Sequence, residues 1–258
     1  MPLFSGLISG SEPIFSALMI DDTRLIKLPS VGGADCWLIQ LDGFDTSTAT
    51  KILSPSELSR AARFKFEKDR HQFFASRIAM RLVLSTCLGG NNEEIAIHVG
   101  LEGKPFLPSY PLHFNLSHSE GWALIGIHPS HPVGVDIEID SNLPDMEALM
   151  QNCFTEQEQL AIKQSPSIDK LPAFYRCWTR KEACLKALGS GLTIEPITFS
   201  AGILDQSATI EIPIETTQSA MVTVHSLALS ALVKPATRQN RMVAALALLA
   251  PESHHLAI

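Results

Sequence analysis

Two stretches between Val133 and Leu192 constrain this chain more than any other part of it. Gly134-Val-Asp136-Ile-Glu138 alternates apolar and acidic side chains with the two-residue period of a pleated strand. Val135, Ile137 and Ile139 then face one way, and Asp136, Glu138 and Asp140 the other. Trp178-Thr-Arg-Lys181-Glu182-Ala-Cys-Leu-Lys186-Ala reads as a helix on which Trp178, Glu182 and Lys186 recur every four residues and share a face. A strand and a helix offering these carboxylates and lysines predict a hard-cation site beside a phosphate clamp. Acids on one face of a strand repel unless something positive sits between them. Oxygen donors without His or Cys suit magnesium, which takes few protein ligands and fills its shell with water and substrate phosphates. The plainer alternative is a half-exposed strand with a solvated acidic face, an ordinary Glu182–Lys186 helical ion pair and a core Trp178.

Composition narrows the field. With 258 residues, 45% apolar and 18% charged, the chain is globular and long enough to bury a substantial core. A formal net charge of −7 argues against a nucleic-acid partner, whose phosphates would need neutralising. Cys36, Cys87, Cys153, Cys177 and Cys184 are odd in number and scattered without a CxxC pair, so neither a disulfide framework nor a zinc knuckle is expected. No basic secretory start and no apolar run of membrane-spanning length are present, which predicts a soluble cytoplasmic protein with no membrane partner.

The order of elements predicts an α+β fold. Residues 1–52 say least: Ala34–Leu41 reads as a strand, and the first twenty residues as poorly ordered. Ser54-Pro-Ser-Glu57 is a capping box with proline at the first helical position, followed by a helix over His71–Cys87 that ends at Gly89-Gly90. Strands follow around Ile95–Val99, Phe114–Leu116 and Ala123–Ile127. The second half repeats this order, with a capping box at Thr155-Glu-Gln-Glu158, a polar loop from Gln164 to Lys170 and a helix over Ala173–Leu188 ending at Gly189-Ser-Gly191. Strands are expected at Thr209–Ile214, Met221–Ala228 and Met242–Leu249. This repetition predicts two similar α+β halves, residues 1–132 and 133–258, related by a pseudo-twofold with an active-site cleft at their junction.

Three further features carry chemistry. Leu101-Glu-Gly103-Lys104-Pro105-Phe is a tight turn bearing one lysine. Phe114-Asn115-Leu116-Ser117-His118-Ser119 is a strand running into polar donors, which either hold phosphate oxygens or satisfy a turn. Arg60, Arg63, Lys65, Lys68, Arg70, Arg77 and Arg81 crowd one stretch of an acidic protein, as a solvated helix face or as an anion pocket.

Taken together, Gly103-Lys104-Pro105, Phe114-Asn115-Leu116-Ser117-His118, Gly134-Val135-Asp136-Ile137-Glu138 and Trp178-x-x-Lys181-Glu182-Ala183-x-x-Lys186 resemble, in order and spacing, the 4′-phosphopantetheinyl transferases. Length and layout are similar to the surfactin-synthetase-activating (Sfp) type, with the likeness running from Ser54 to Leu192. The resemblance implies transfer of the phosphopantetheine arm of coenzyme A to a serine of an apo acyl, aryl or peptidyl carrier protein, releasing 3′,5′-ADP. It implies magnesium held by Asp136, Glu138 and Glu182, phosphate contacts from Lys186 and His118 with Ser117 beside them, and assistance from Lys181. Gly103, Lys104 and Pro105 would line an adenine pocket, and Arg60 and Arg77 would stand near the 3′-phosphate. Glu158 matches an acid of open role. Fused halves that build their own cleft imply a monomer.

Attack of a hydroxyl on a phosphoanhydride needs charge neutralised on the phosphoryl oxygens and a proton removed from the nucleophile. Magnesium with Lys186 would supply the first, and Glu182 or a water next to it the second. Two other readings use the same residues: another magnesium-dependent phosphoryl or nucleotidyl transferase, and a coenzyme A-binding module without turnover.

Overall fold

The computed structural model describes residues 24–89, 95–100, 102–191, 193–204, 206–215, 218–229 and 241–251. The expectation for the first twenty residues, and those touching Gly90, Leu101 and Leu192, lie outside the described residues. The architecture is α+β, as the order of elements predicts. The chain forms two compact units: Met1–Lys27 with Leu38–Ala96 and Gly121–Ala123, and Leu28–Trp37 with Ile97–Glu120 and Leu124–Ile258. The units do not follow a single cut after residue 132, because Ile97–Glu120 packs with the C-terminal part of the chain. No helix among the described residues is long and apolar enough to cross a membrane.

Strands β1 (Leu25–Lys27) and β2 (Asp35–Gln40) precede three helices of the first unit, α1 (Ala49–Ile52), α2 (Pro55–Ala61) and α3 (Glu67–Leu88). The capping box forms as expected: Ser54 Oγ accepts from Glu57 N at 3.3 Å, and the Glu57 carboxylate accepts from Ser54 N at 2.9 Å. The same Glu57 Oε2 accepts from Arg81 Nε and Nη2 at 3.1 and 2.9 Å, so a buried forked ion pair ties α2 to α3. Helix α3 begins a turn before the expected His71, because exposed polar residues from Glu67 onward form its solvated first turn.

The second unit also holds a small ribbon, β3 (His98–Val99) and β4 (Pro105–Phe106), then β5 (His113–Ser119) and the greater part of β6 (Trp122–His128). Next come β7 (Val133–Ile139), α4 (Met146–Cys153), α5 (Glu156–Gln164), α6 (Ser167–Leu188), β8 (Ala208–Glu215), β9 (Gln218–Leu227) and β10 (Met242–Leu249). The last sheet is antiparallel in the order β7-β10-β9-β8, with Ala245 opposite Asp136 and Val243 opposite Glu138. Its edge strand β8 carries Pro213, which removes a ladder donor and blunts that edge. Helix α6 starts at Ser167, so the polar loop expected to Lys170 is in part its exposed first turn; polar composition there marks solvent, not irregular backbone.

Strand β7 departs most from its expected character. It is buried on both faces, with only Glu138 half-exposed, because α6 lies against it, β5 packs beside it and β10 pairs with it. Gly134 makes that packing possible. A Cβ there would stand 2.1 Å from Ala183 O and 2.3 Å from Ala187 N, so strand and helix meet backbone to backbone. Gly134→Ala must therefore push α6 off the sheet. We expect it to cost about 1–3 kcal/mol, the usual scale of overpacking, read as a lower urea midpoint at unchanged slope.

Candidate active site

β5 and β7 run side by side, and polar side chains of β5 meet β7 at three successive points. Asn115 Oδ1 accepts from Val135 N at 2.9 Å, satisfying the edge of β7. Ser117 Oγ donates to Asp136 Oδ1 at 2.8 Å, and Ser119 Oγ donates to Glu138 Oε2 at 2.8 Å. From α6, Lys186 Nζ donates to Asp136 Oδ1 at 2.6 Å and to Ser117 Oγ at 3.1 Å. Asp136 is 3% exposed, whereas the Lys186 side chain keeps 30% of its surface open. Asp136 Oδ2 is buried without a hydrogen-bond partner.

The electrostatics follow from this placement. Burial pushes the Asp136 carboxyl above its usual value, against the opposing pull of Lys186 and the Ser117 hydroxyl. Burial likewise raises Glu138, with Asp136 and Glu182 adding repulsion while Ser119 and Lys186 offset part of it. Glu182 is raised by burial and by Asp136, and held back by Lys186. These acids feel one another, yet among the described residues no three of His, Cys, Asp and Glu gather as a ready metal cage. The donor set still fits a hard cation: every acid is an oxygen donor raised above its usual value chiefly by burial, and one buried oxygen has no hydrogen-bond partner.

Lys181 is not part of this group. Its ammonium, 1% exposed, pairs with Glu158 Oε2 at 2.9 Å, donates to Pro196 O at 2.7 Å and to Phe199 O, and lies 4.6 Å from the Phe199 ring centre. Glu158 caps α5 through Thr155 and accepts from Ala201 N and Gly202 N at 2.7 and 3.1 Å. Burial pushes the Glu158 carboxyl up, but Lys181 and the capping N–H bonds outweigh it and hold the group below its ordinary value. Trp178 stacks on Phe174 with ring centres 6.1 Å apart, inside the core shared by α4, α5 and α6. The four-residue spacing thus leads from a core ring at Trp178 to the acidic site at Glu182 and Lys186.

Lys104 sends its ammonium to the end of α6, donating to Lys186 O at 2.5 Å, Ala187 O at 2.9 Å and Val133 O at 3.1 Å. Burial pushes it down to about 8. Lys104 and Pro105 border a cavity of about 380 Å³ with Phe106, Phe114 and Leu188; Gly103, at φ 82° in the turn, does not line it. His118 is exposed on the face of β5 opposite Ser117 and Ser119. In the other unit, Arg60 and Arg77 lie over the Phe73 ring at 5.7 and 5.4 Å, and burial pushes the Arg77 guanidinium down. Asn115 and Ser119, read as donors for phosphate oxygens or a turn, instead bond β7, and Gly134 is a site-building residue that motif reading left without a role. The two-residue period shared by β5 and β7 was the available signal for the serines.

Residues 132–245 match the 4′-phosphopantetheinyl transferase superfamily, and residues 42–130 match the N-terminal region of 4′-phosphopantetheinyl transferases. The chain is 35% identical over 184 residues to the 4′-phosphopantetheinyl transferase HetI of Nostoc sp., covering 67% of this chain and 78% of that one. It is 31% identical over 199 residues to the L-aminoadipate-semialdehyde dehydrogenase-phosphopantetheinyl transferase of Xenopus laevis, covering 67% and 66%. To the 4′-phosphopantetheinyl transferase Sfp of Bacillus subtilis it is 28% identical over 164 residues, covering 63% and 72%.

Because Lys181 and Glu158 are buried together, removing one partner strands the other charge. Lys181→Met is expected to cost about 3–5 kcal/mol in urea unfolding, and adding Glu158→Gln recovers part of that loss.

Proposed function

The chain belongs to the 4′-phosphopantetheinyl transferase superfamily, and from that premise we propose that the Asp136–Lys186 site moves the phosphopantetheine arm of coenzyme A onto a carrier-protein serine. The observation that carries this reading is Asp136: buried, gripped on one oxygen by Lys186 and Ser117, and left with a second oxygen that nothing satisfies. Asp136, Glu138 and Glu182 would hold a magnesium ion, whose charge offsets that of the bound diphosphate. Ser117 and Ser119 orient the first two of these carboxylates. The cavity beside Lys104 and Pro105 receives the adenine of coenzyme A.

The chemistry is carried by α6. Lys186 presents its partly open ammonium to the phosphoryl oxygens and stabilises the charge that builds on the departing 3′,5′-ADP. Glu182 takes the proton of the carrier serine as its oxygen bonds to phosphorus and the bond from phosphorus to 3′,5′-ADP breaks. Glu182 is half-buried on the same helix as Lys186, where a carboxylate can act as a general base.

Mass spectrometry of an apo carrier incubated with coenzyme A and magnesium tests the assignment. Glu182→Gln is expected to slow phosphopantetheine addition by about 10²–10⁴-fold with the unfolding midpoint unchanged. Full turnover by Glu182→Gln would remove the base.

A further inference from the structure

We infer that Lys104 is a positioning residue for the transfer: it ties the last turn of α6 to β7 and so fixes where Lys186 stands. This rests on the role of Lys186 proposed above. An ammonium carries three donors, and those of Lys104 are all spent on backbone, at Lys186 O (2.5 Å), Ala187 O (2.9 Å) and Val133 O (3.1 Å). The first two carbonyls belong to the end of a helix, where the final turn has no intrahelical donors left and a cation is favoured by the helix dipole. The third belongs to the strand that carries Gly134 and Asp136. One side chain therefore bridges the two elements that supply the site.

The surroundings are shaped to keep it there. Helix α6 stops at Gly189, in the left-handed conformation at φ 71°, and a Cβ on Gly189 would stand 3.2 Å from Lys104 Cδ. The aliphatic stem is thus clasped by the helix cap while the ammonium passes inward. Gly191 repeats the pattern, since a Cβ there would stand 2.8 Å from Glu102 Oε2, so the β3–β4 turn runs along the loop that follows α6. On the sheet side, Gly134 lets α6 sit on backbone alone. A lysine serving the ligand directly would turn its protons to the cavity; this one lines the cavity but gives its protons to the scaffold. Displacement of a catalytic group by about 1 Å is enough to cost on the order of 10²-fold in rate, and Lys186 stands on the turn that Lys104 holds.

The test is steady-state transfer by the full chain, varying coenzyme A at saturating apo carrier, for K104M, K104R and K186A. For K104M we expect kcat to fall by about tenfold or more with the KM for coenzyme A within about threefold of wild type, the signature of a lost transition-state interaction. K104R keeps the charge on a broader, planar head and should recover most of the rate, ending about threefold below wild type with KM unchanged. If K104M does not fold, that split in K104R decides the matter. A raised KM with wild-type kcat in either variant makes Lys104 a ligand for coenzyme A and overturns the inference. Wild-type kcat and KM in a merely less stable K104M overturns it as well. K186A separates the two levels: retained transfer by K186A sinks the role of Lys186 itself, whereas an inactive K186A beside an unimpaired K104M sinks only the role of Lys104.

Discussion

A backbone-to-backbone contact between a helix and a strand governs this structure. At Gly134 the missing side chain lets α6 settle onto β7, with Ala183 and Ala187 where a Cβ would have to go. Only at that closeness does Lys186 reach Asp136 at 2.6 Å, and only there is Asp136 shut away from water beside Glu138 and Glu182. Burial of like-charged carboxylates is unfavourable by itself. Its retention makes sense as stored attraction for a positive partner, which Lys186 meets in part and which leaves Asp136 Oδ2 unanswered.

Three lysines near one helix illustrate how little a side chain's identity decides. Lys186 keeps its ammonium partly open beside an acid. Lys181, on the same helix, is sealed against Glu158 and the Phe199 ring, and holds the 196–202 segment in place. Lys104 caps the helix from the β3–β4 turn. Charge is the same in all three; what differs is which backbone carbonyls and which acid lie within reach, and those are products of the fold.

That contrast also marks what the sequence can reveal. The capping boxes at Ser54 and Thr155, the strand Met242–Leu249 and the helix stop at Gly189 were legible because each depends on neighbours a few residues away. The shared face of Asp136 and Glu138, and that of Glu182 and Lys186, were legible because the strand and helix periods place them. Lys181 was not, since its partner Glu158 lies on a different helix and no local period connects them. The two-sided burial of β7 escaped the alternating pattern for a similar reason: the acids share the face of Gly134, on which α6 lies, and the serines of β5 answer them. The use of Lys104 as a cap required knowing that the β3–β4 turn meets the end of α6.

The proposed divalent ion would sit on the oxygen of Asp136 that has no hydrogen-bond partner. Anomalous diffraction from crystals grown with coenzyme A and manganese, a magnesium substitute visible by its scattering, tests this most directly. The account predicts a single strong peak about 2.0–2.2 Å from Asp136 Oδ2, shared with Glu138 or Glu182 and the diphosphate. A bound coenzyme A whose diphosphate carries no such peak, with Asp136 Oδ2 still facing protein, would contradict it.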